Sequence, residues 1–237
     1  MAATHKIGLG NLLGGAISGA VIGLIAAAQP LYALEISRHL NDSPSVNAIL
    51  LKGKIEYEDT FRLQRYIANL PTKNNIVVYL DSPGGNLREG LKLGYFFYQS
   101  NIETVVDAKM YCTSACAIAF LGGRESSGKP KRTKYSSARL GFHSFTRDFD
   151  GDRNYSAEDM KQAIYAAQAT LLSMIDYLRM MEANHDFLRI MLRSSPNEMH
   201  YLSNDHAVLL GISVWDEKNG CLIDSQLVTD CLNRSRS

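Results

Sequence analysis

The chain has almost no net charge. Its 25 Lys and Arg stand against 24 Asp and Glu, which leaves +1 with histidine neutral. A nucleic-acid-binding face needs a basic excess, so no nucleic-acid partner is expected. The one basic cluster, Arg124, Lys129, Lys131, Arg132 and Lys134, lies among Gly, Ser and Pro and reads as a solvated loop. No glycine-rich phosphate loop is present, so ATP-driven work would have to come from another chain. Four cysteines, Cys112, Cys116, Cys221 and Cys231, show no CxxC spacing and have no histidine pair nearby, which argues against zinc. The segment 147–154 looks like a calcium loop, but Gly151 comes at the fourth place instead of the sixth, so it reads as a polar turn. No metal or cofactor is expected.

One stretch lacks charge entirely: residues 7–28, 22 in a row. A secretory core usually runs ~7–15 residues, and a spanning helix needs ~20. Length favours a membrane anchor. The small residues Ala26, Ala27 and Ala28 would also suit a cleavage site. Gly15, Gly19 and Gly23 put a bare stripe on such a helix. Either way, the domain is expected on the extracytoplasmic side of the membrane or exported to the periplasm. The expected organisation is a signal-anchor or signal peptide at 1–34, a linker at 35–47, one domain at 48–218 and a tail at 219–237.

At 46% apolar and 21% charged, the remainder suits one globular domain with a sizeable core. Strands are expected near 48–55, 76–80, 103–108 and 138–145, with helices at 60–70, 86–99 and 114–122. Alternating strands and helices imply an α/β fold with a mainly parallel sheet. Functional groups in such sheets gather at the carboxyl ends of strands. Ser156 caps a long helix with acids in its first turn. Its apolar residues Met160, Ile164, Ala167, Leu171, Met174, Leu178 and Met181 form one stripe. A shorter helix starts at His185-Asp186.

Three stretches carry the chemistry. Asp81-Ser82-Pro83-Gly84-Gly85 ends a strand with a turn that can present bare N–H groups. Cys112-Thr113-Ser114-Ala115-Cys116 opens a small-residue helix, where a serine is most often a plain cap. Gly141-Phe142-His143-Ser144 places a histidine near a strand end, most often a structural residue. His39, His200 and His206 read as surface or cap residues.

In this order and at these intervals, 29 residues separating Gly85 from Ser114, the three stretches resemble the proteolytic subunit of the Clp protease and its Clp/crotonase relatives. The resemblance runs from about residue 48 to 216. It implies a Clp/crotonase-like fold, a peptide or protein substrate, and Ser114 and His143 as nucleophile and base. It implies the N–H groups of Gly85 and Ala115, aided by the helix dipole, as oxyanion donors, and a long projecting helix that meets a neighbouring subunit of a homo-oligomer.

The resemblance also implies an acid four residues before Ser203, where this chain has Met199. Adjacent Glu198 is the candidate third member and Asp205 a weaker one. The expectation is a Ser114–His143 dyad acting as a serine endopeptidase. A catalytically inactive scaffold at the membrane is the alternative. A crotonase-type acyl-thioester enzyme is less in keeping with export. No lysine has a clear claim to act as base. Cys112 and Cys116 are expected as buried thiols ahead of a Cys112–Cys116 bridge, and Cys221–Cys231 as a candidate disulfide in an oxidising compartment.

Overall fold

The computed structural model describes residues 34–41, 43–71, 74–145 and 154–224. The charge-free segment at 7–28, nearly all of the polar turn at 147–154, and Cys231 lie outside the described residues. Among the described residues, no helix is long and apolar enough to cross a membrane.

The chain runs β1 (Glu35–Arg38), β2 (Val46–Lys52), α1 (Asp59–Ala68), β3 (Asn75–Asp81), α2 (Leu87–Gln99), β4 (Glu103–Val106), β5 (Tyr111–Thr113) and α3 (Ala115–Phe120). It continues with β6 (Arg132–Tyr135), β7 (Arg139–Phe142), α4 (Ala157–Met180), α5 (Asp186–Arg193), β8 (His200–Tyr201), α6 (Asn204–Leu209), β9 (Ser213–Asp216) and β10 (Cys221–Ile223). This is a mixed α/β architecture. Seven strands form one sheet in the order β1-β2-β3-β4-β6-β9-β10, parallel throughout except at its antiparallel edges β1 and β10. A second sheet, β5-β7-β8, stands beside it.

The apolar run at 76–80 becomes β3 because β-branched side chains fill both faces of a parallel strand. Val78 and Leu80 face the main core with Leu93 and Phe97 of α2, while Tyr79 packs with Ala48 and Val105 on the opposite face. Asn86 caps α2 by accepting from the Glu89 N–H. Ser156 caps α4 as expected, and with Asp159 it closes a capping box.

Four expectations are corrected. Residues 35–47 are more than a linker, since β1 pairs with β2 along its whole length. Within the tail, β10 extends the sheet. Arg132 and Lys134 are not in a loop: they lie in β6, inside the main sheet, 3% and 1% exposed. Arg132 donates to the Met181 carbonyl and Lys134 to the Asn204 side-chain oxygen. Burial draws the Arg132 guanidinium down to about 10. His39 is buried, stacked on Tyr79 and 3.5 Å from Asp107. Burial lowers its pKa, with Asp107 acting in the opposite direction.

The α4 stripe divides in two. Met174, Leu178 and Met181 are buried in the chain's own core, whereas Met160 and Ile164 are exposed. Tyr177 anchors the buried end, its hydroxyl donating to the Ile118 carbonyl at 2.7 Å. That hydroxyl lies 1.8 Å from where a Cβ on Gly94 would stand. Gly94→Ala should therefore destabilise the fold by about 1–3 kcal/mol, because fully buried Tyr177 has nowhere to retreat. Urea unfolding measures this; a loss below ~0.5 kcal/mol would show that Tyr177 can shift.

Candidate active site

Ser114 does not follow the 103–108 strand directly. The chain turns after β4 through Lys109, at φ 62°, and adds β5 before reaching the serine. β5 runs parallel to β7, with Thr113 opposite Gly141. Ser114 and His143 thus leave adjacent strands at their carboxyl ends. The Ser114 N–H donates to the Gly141 carbonyl at 3.0 Å, which ties the two strand ends together.

The serine hydroxyl does not act as a cap. Ser114 is at the N-cap of α3 but makes no side-chain cap bond. Its Oγ is instead 2.7 Å from His143 Nε2. The backbone at Ser114 has φ 57° and ψ −126°, a region a non-glycine residue occupies at a cost of about 1–3 kcal/mol. A sharp strand-to-helix turn of this kind holds a side chain outward. Nothing in the residue types alone signals the positive φ.

Gly84 lies directly against that turn. A Cβ on it would stand 2.6 Å from the Thr113 carbonyl oxygen and 2.7 Å from the Ser114 Cβ, and its own φ is +92°. Gly85 is at φ +142°, with a Cβ position 2.2 Å from the Ile55 carbonyl oxygen. Glycine is required at both for reasons of space and angle. Gly85, Ser114, Ala115 and His143 share one cavity of about 240 Å³, whose apolar wall includes Leu87, Ile118, Phe142 and Met191. Neither the Gly85 nor the Ala115 N–H donates to another described group. The α3 helix is only six residues long, shorter than expected, so its dipole adds little.

The third member is not brought in. His143 Nδ1 is buried without a hydrogen-bond partner among the described residues. Glu198 and Met199 line a different and larger cavity, about 630 Å³, with Arg193 and His206. Size does not identify the site here, since the larger cavity holds neither the serine nor His143. Asp205 belongs to the first turn of α6. Extending the β7–β8 register by one residue, from Phe142 opposite His200, sets Met199 opposite His143.

The cysteine expectation is also corrected. Cys112 and Cys116 form a disulfide with Cα atoms 5.2 Å apart, and both residues are fully buried. Closing so short a loop adds only about 2 kcal/mol through loop entropy. No cysteine among the described residues is free, Cys221 included. Among the described residues no cluster of His, Cys, Asp and Glu could hold a metal ion.

No protein-family model matches this chain, and no curated protein matches it.

Gly84→Ala should push the serine turn away from β3 and break the Ser114–His143 contact. In a crystal structure of that variant the Oγ–Nε2 distance should exceed ~3.5 Å. A contact still at hydrogen-bond length would show that the turn does not depend on Gly84.

Proposed function

We propose that this chain is a serine hydrolase of Clp/crotonase-like fold that cleaves peptide bonds through Ser114 and His143. The observation that carries this is the serine hydroxyl itself: it gives up the cap position and meets an imidazole at 2.7 Å from a strained backbone. Paired nucleophile and base at that distance are the requirement for nucleophilic catalysis. His143 Nε2 accepts the serine proton as Oγ attacks the carbonyl carbon. The carbonyl oxygen, gaining charge, is met by the Gly85 and Ala115 N–H groups. His143 then returns the proton to the leaving amine. Water, deprotonated by the same nitrogen, hydrolyses the acyl-enzyme. The apolar cavity wall suits an uncharged side chain next to the scissile bond.

A base needs Nε2 free, which places the neutral ring's proton on Nδ1, and that buried atom has no acceptor among the described residues. An unsatisfied Nδ1 costs about 1–3 kcal/mol, and among the described residues no carboxylate pairs with the imidazole. The same orphan atom favours the second reading, an inactive Clp-like scaffold.

The buried disulfide supports an oxidising compartment, in line with an exported or membrane-anchored chain whose domain lies beyond the membrane. The exposed half of the α4 stripe supports self-association.

Two experiments test the proposal. A fluorophosphonate probe should label the full chain, and Ser114→Ala and His143→Ala should each reduce labelling by ~10²-fold or more. A wild type that stays unlabelled while folded would favour the scaffold. Met199→Asp, which supplies an acceptor opposite His143, should raise the labelling rate by roughly 10-fold or more. An unchanged rate in a folded variant would show that His143 is not limited by its missing partner.

A further inference from the structure

We propose that the Cys112–Cys116 disulfide is the positioning element of the nucleophile, holding Ser114 where its hydroxyl meets His143 and cannot cap α3. The proposal rests on Ser114 being the reactive serine.

The serine stands midway between the two half-cystines, two residues from each. In sharp strand–serine–helix turns these flanking positions are usually glycine, because strand and helix approach closely there. Here the approach is 5.2 Å between Cα atoms, within the range a disulfide spans, and two cysteines turn the close approach into a covalent link. It joins a residue of β5 to the first turn of α3 and bridges directly across the one strained backbone between them.

Two hydrogen bonds also hold Ser114: its N–H to the Gly141 carbonyl and its carbonyl from the Ile118 N–H. They orient the flanking peptides but leave the β5–α3 separation unset. The hydroxyl has a strong local alternative. In an ordinary extended conformation, a serine at this position accepts from the second or third helical N–H, here Cys116 or Ala117. That state would relieve the positive φ, satisfy an orphan donor and withdraw the nucleophile from His143. Reaching it requires the end of β5 and the start of α3 to separate, and the bridge opposes that. Both half-cystines are 0% exposed, so the link is not open to casual exchange with surface thiols. Its role is to remove the capped alternative, which explains why a bond that encloses so few residues lies at this turn.

The test uses the full chain with Cys112→Ala/Cys116→Ala. Fluorophosphonate inactivation is followed to saturation, so that the first-order step separates from probe affinity, and the variant's crystal structure is determined. The expected result is a first-order step slowed at least ~10-fold with probe affinity within about twofold. The structure should show residue 114 at negative φ with its hydroxyl accepting from residue 116 or 117. General destabilisation would lower the melting temperature without this split. If the alanine pair fails to fold, Cys112→Ser/Cys116→Ser gives the same two readouts, since it removes the bridge and keeps side chains of nearly the same size. An unchanged φ at Ser114, an intact contact to His143 and an inactivation step within twofold of wild type would overturn the clamp. If wild type does not react with the probe at all, the hydrolase proposal fails, and the crystal structure alone still decides whether the bridge holds the serine.

Discussion

Ser114 carries a side chain at φ 57°, and the fold around it exists in a form that keeps it there. A strained residue of this kind persists only where its neighbours over-determine it. From below, Gly84 leaves no room for the turn to sink, since even a Cβ there would touch the Ser114 Cβ. From the side, β7 accepts the serine N–H through Gly141. Across the top, a disulfide ties strand to helix. Behind α3, Gly90 brings α2 so close that a Cβ would fall 2.5 Å from the Ala115 carbonyl. Each contact uses a residue with little or no side chain, or a covalent bond, to fix one small turn.

The larger architecture provides the platform for that turn. A parallel sheet collects strand ends on one side, and the glycine turn after β3 falls there with the ends of β5 and β7. Two strands diverted from the main sheet, β5 and β7, make the local pair that sets serine against histidine. β8 completes this small sheet, pairing with β7 at Gly141 and Phe142, and the Met199 side chain packs against Gly141. The result is a serine hydroxyl and an imidazole in contact, with the second imidazole nitrogen unpartnered among the described residues.

Much of this was legible in the sequence. The β-branched run at 76–80, the helix start at Asn86, the Ser156 cap and the helix after His185 follow from local chemistry, because propensity and periodicity agree with the final packing at each. The convergence of Gly85, Ser114 and His143 followed from strand ends. Other features were hidden for physical reasons. Arg132 and Lys134 gave β6 the composition of a loop, and only tertiary hydrogen bonds to Met181 and Asn204 make their burial tolerable. His39 looked polar and exposed, but a stacked tyrosine and Asp107 receive it. The disulfide could not be read from spacing, since bridging at a separation of 4 depends on a turn sharp enough to bring the Cα atoms together.

The most direct measurement is a crystal structure of the full chain after reaction with a fluorophosphonate. A phosphorus atom bonded to Ser114 Oγ, with one of its oxygens in hydrogen-bond reach of both the Gly85 and Ala115 N–H groups and His143 still beside the adduct, is the expected result. An adduct on any other residue, or a phosphoryl oxygen pointing away from those two amides, would contradict the site described.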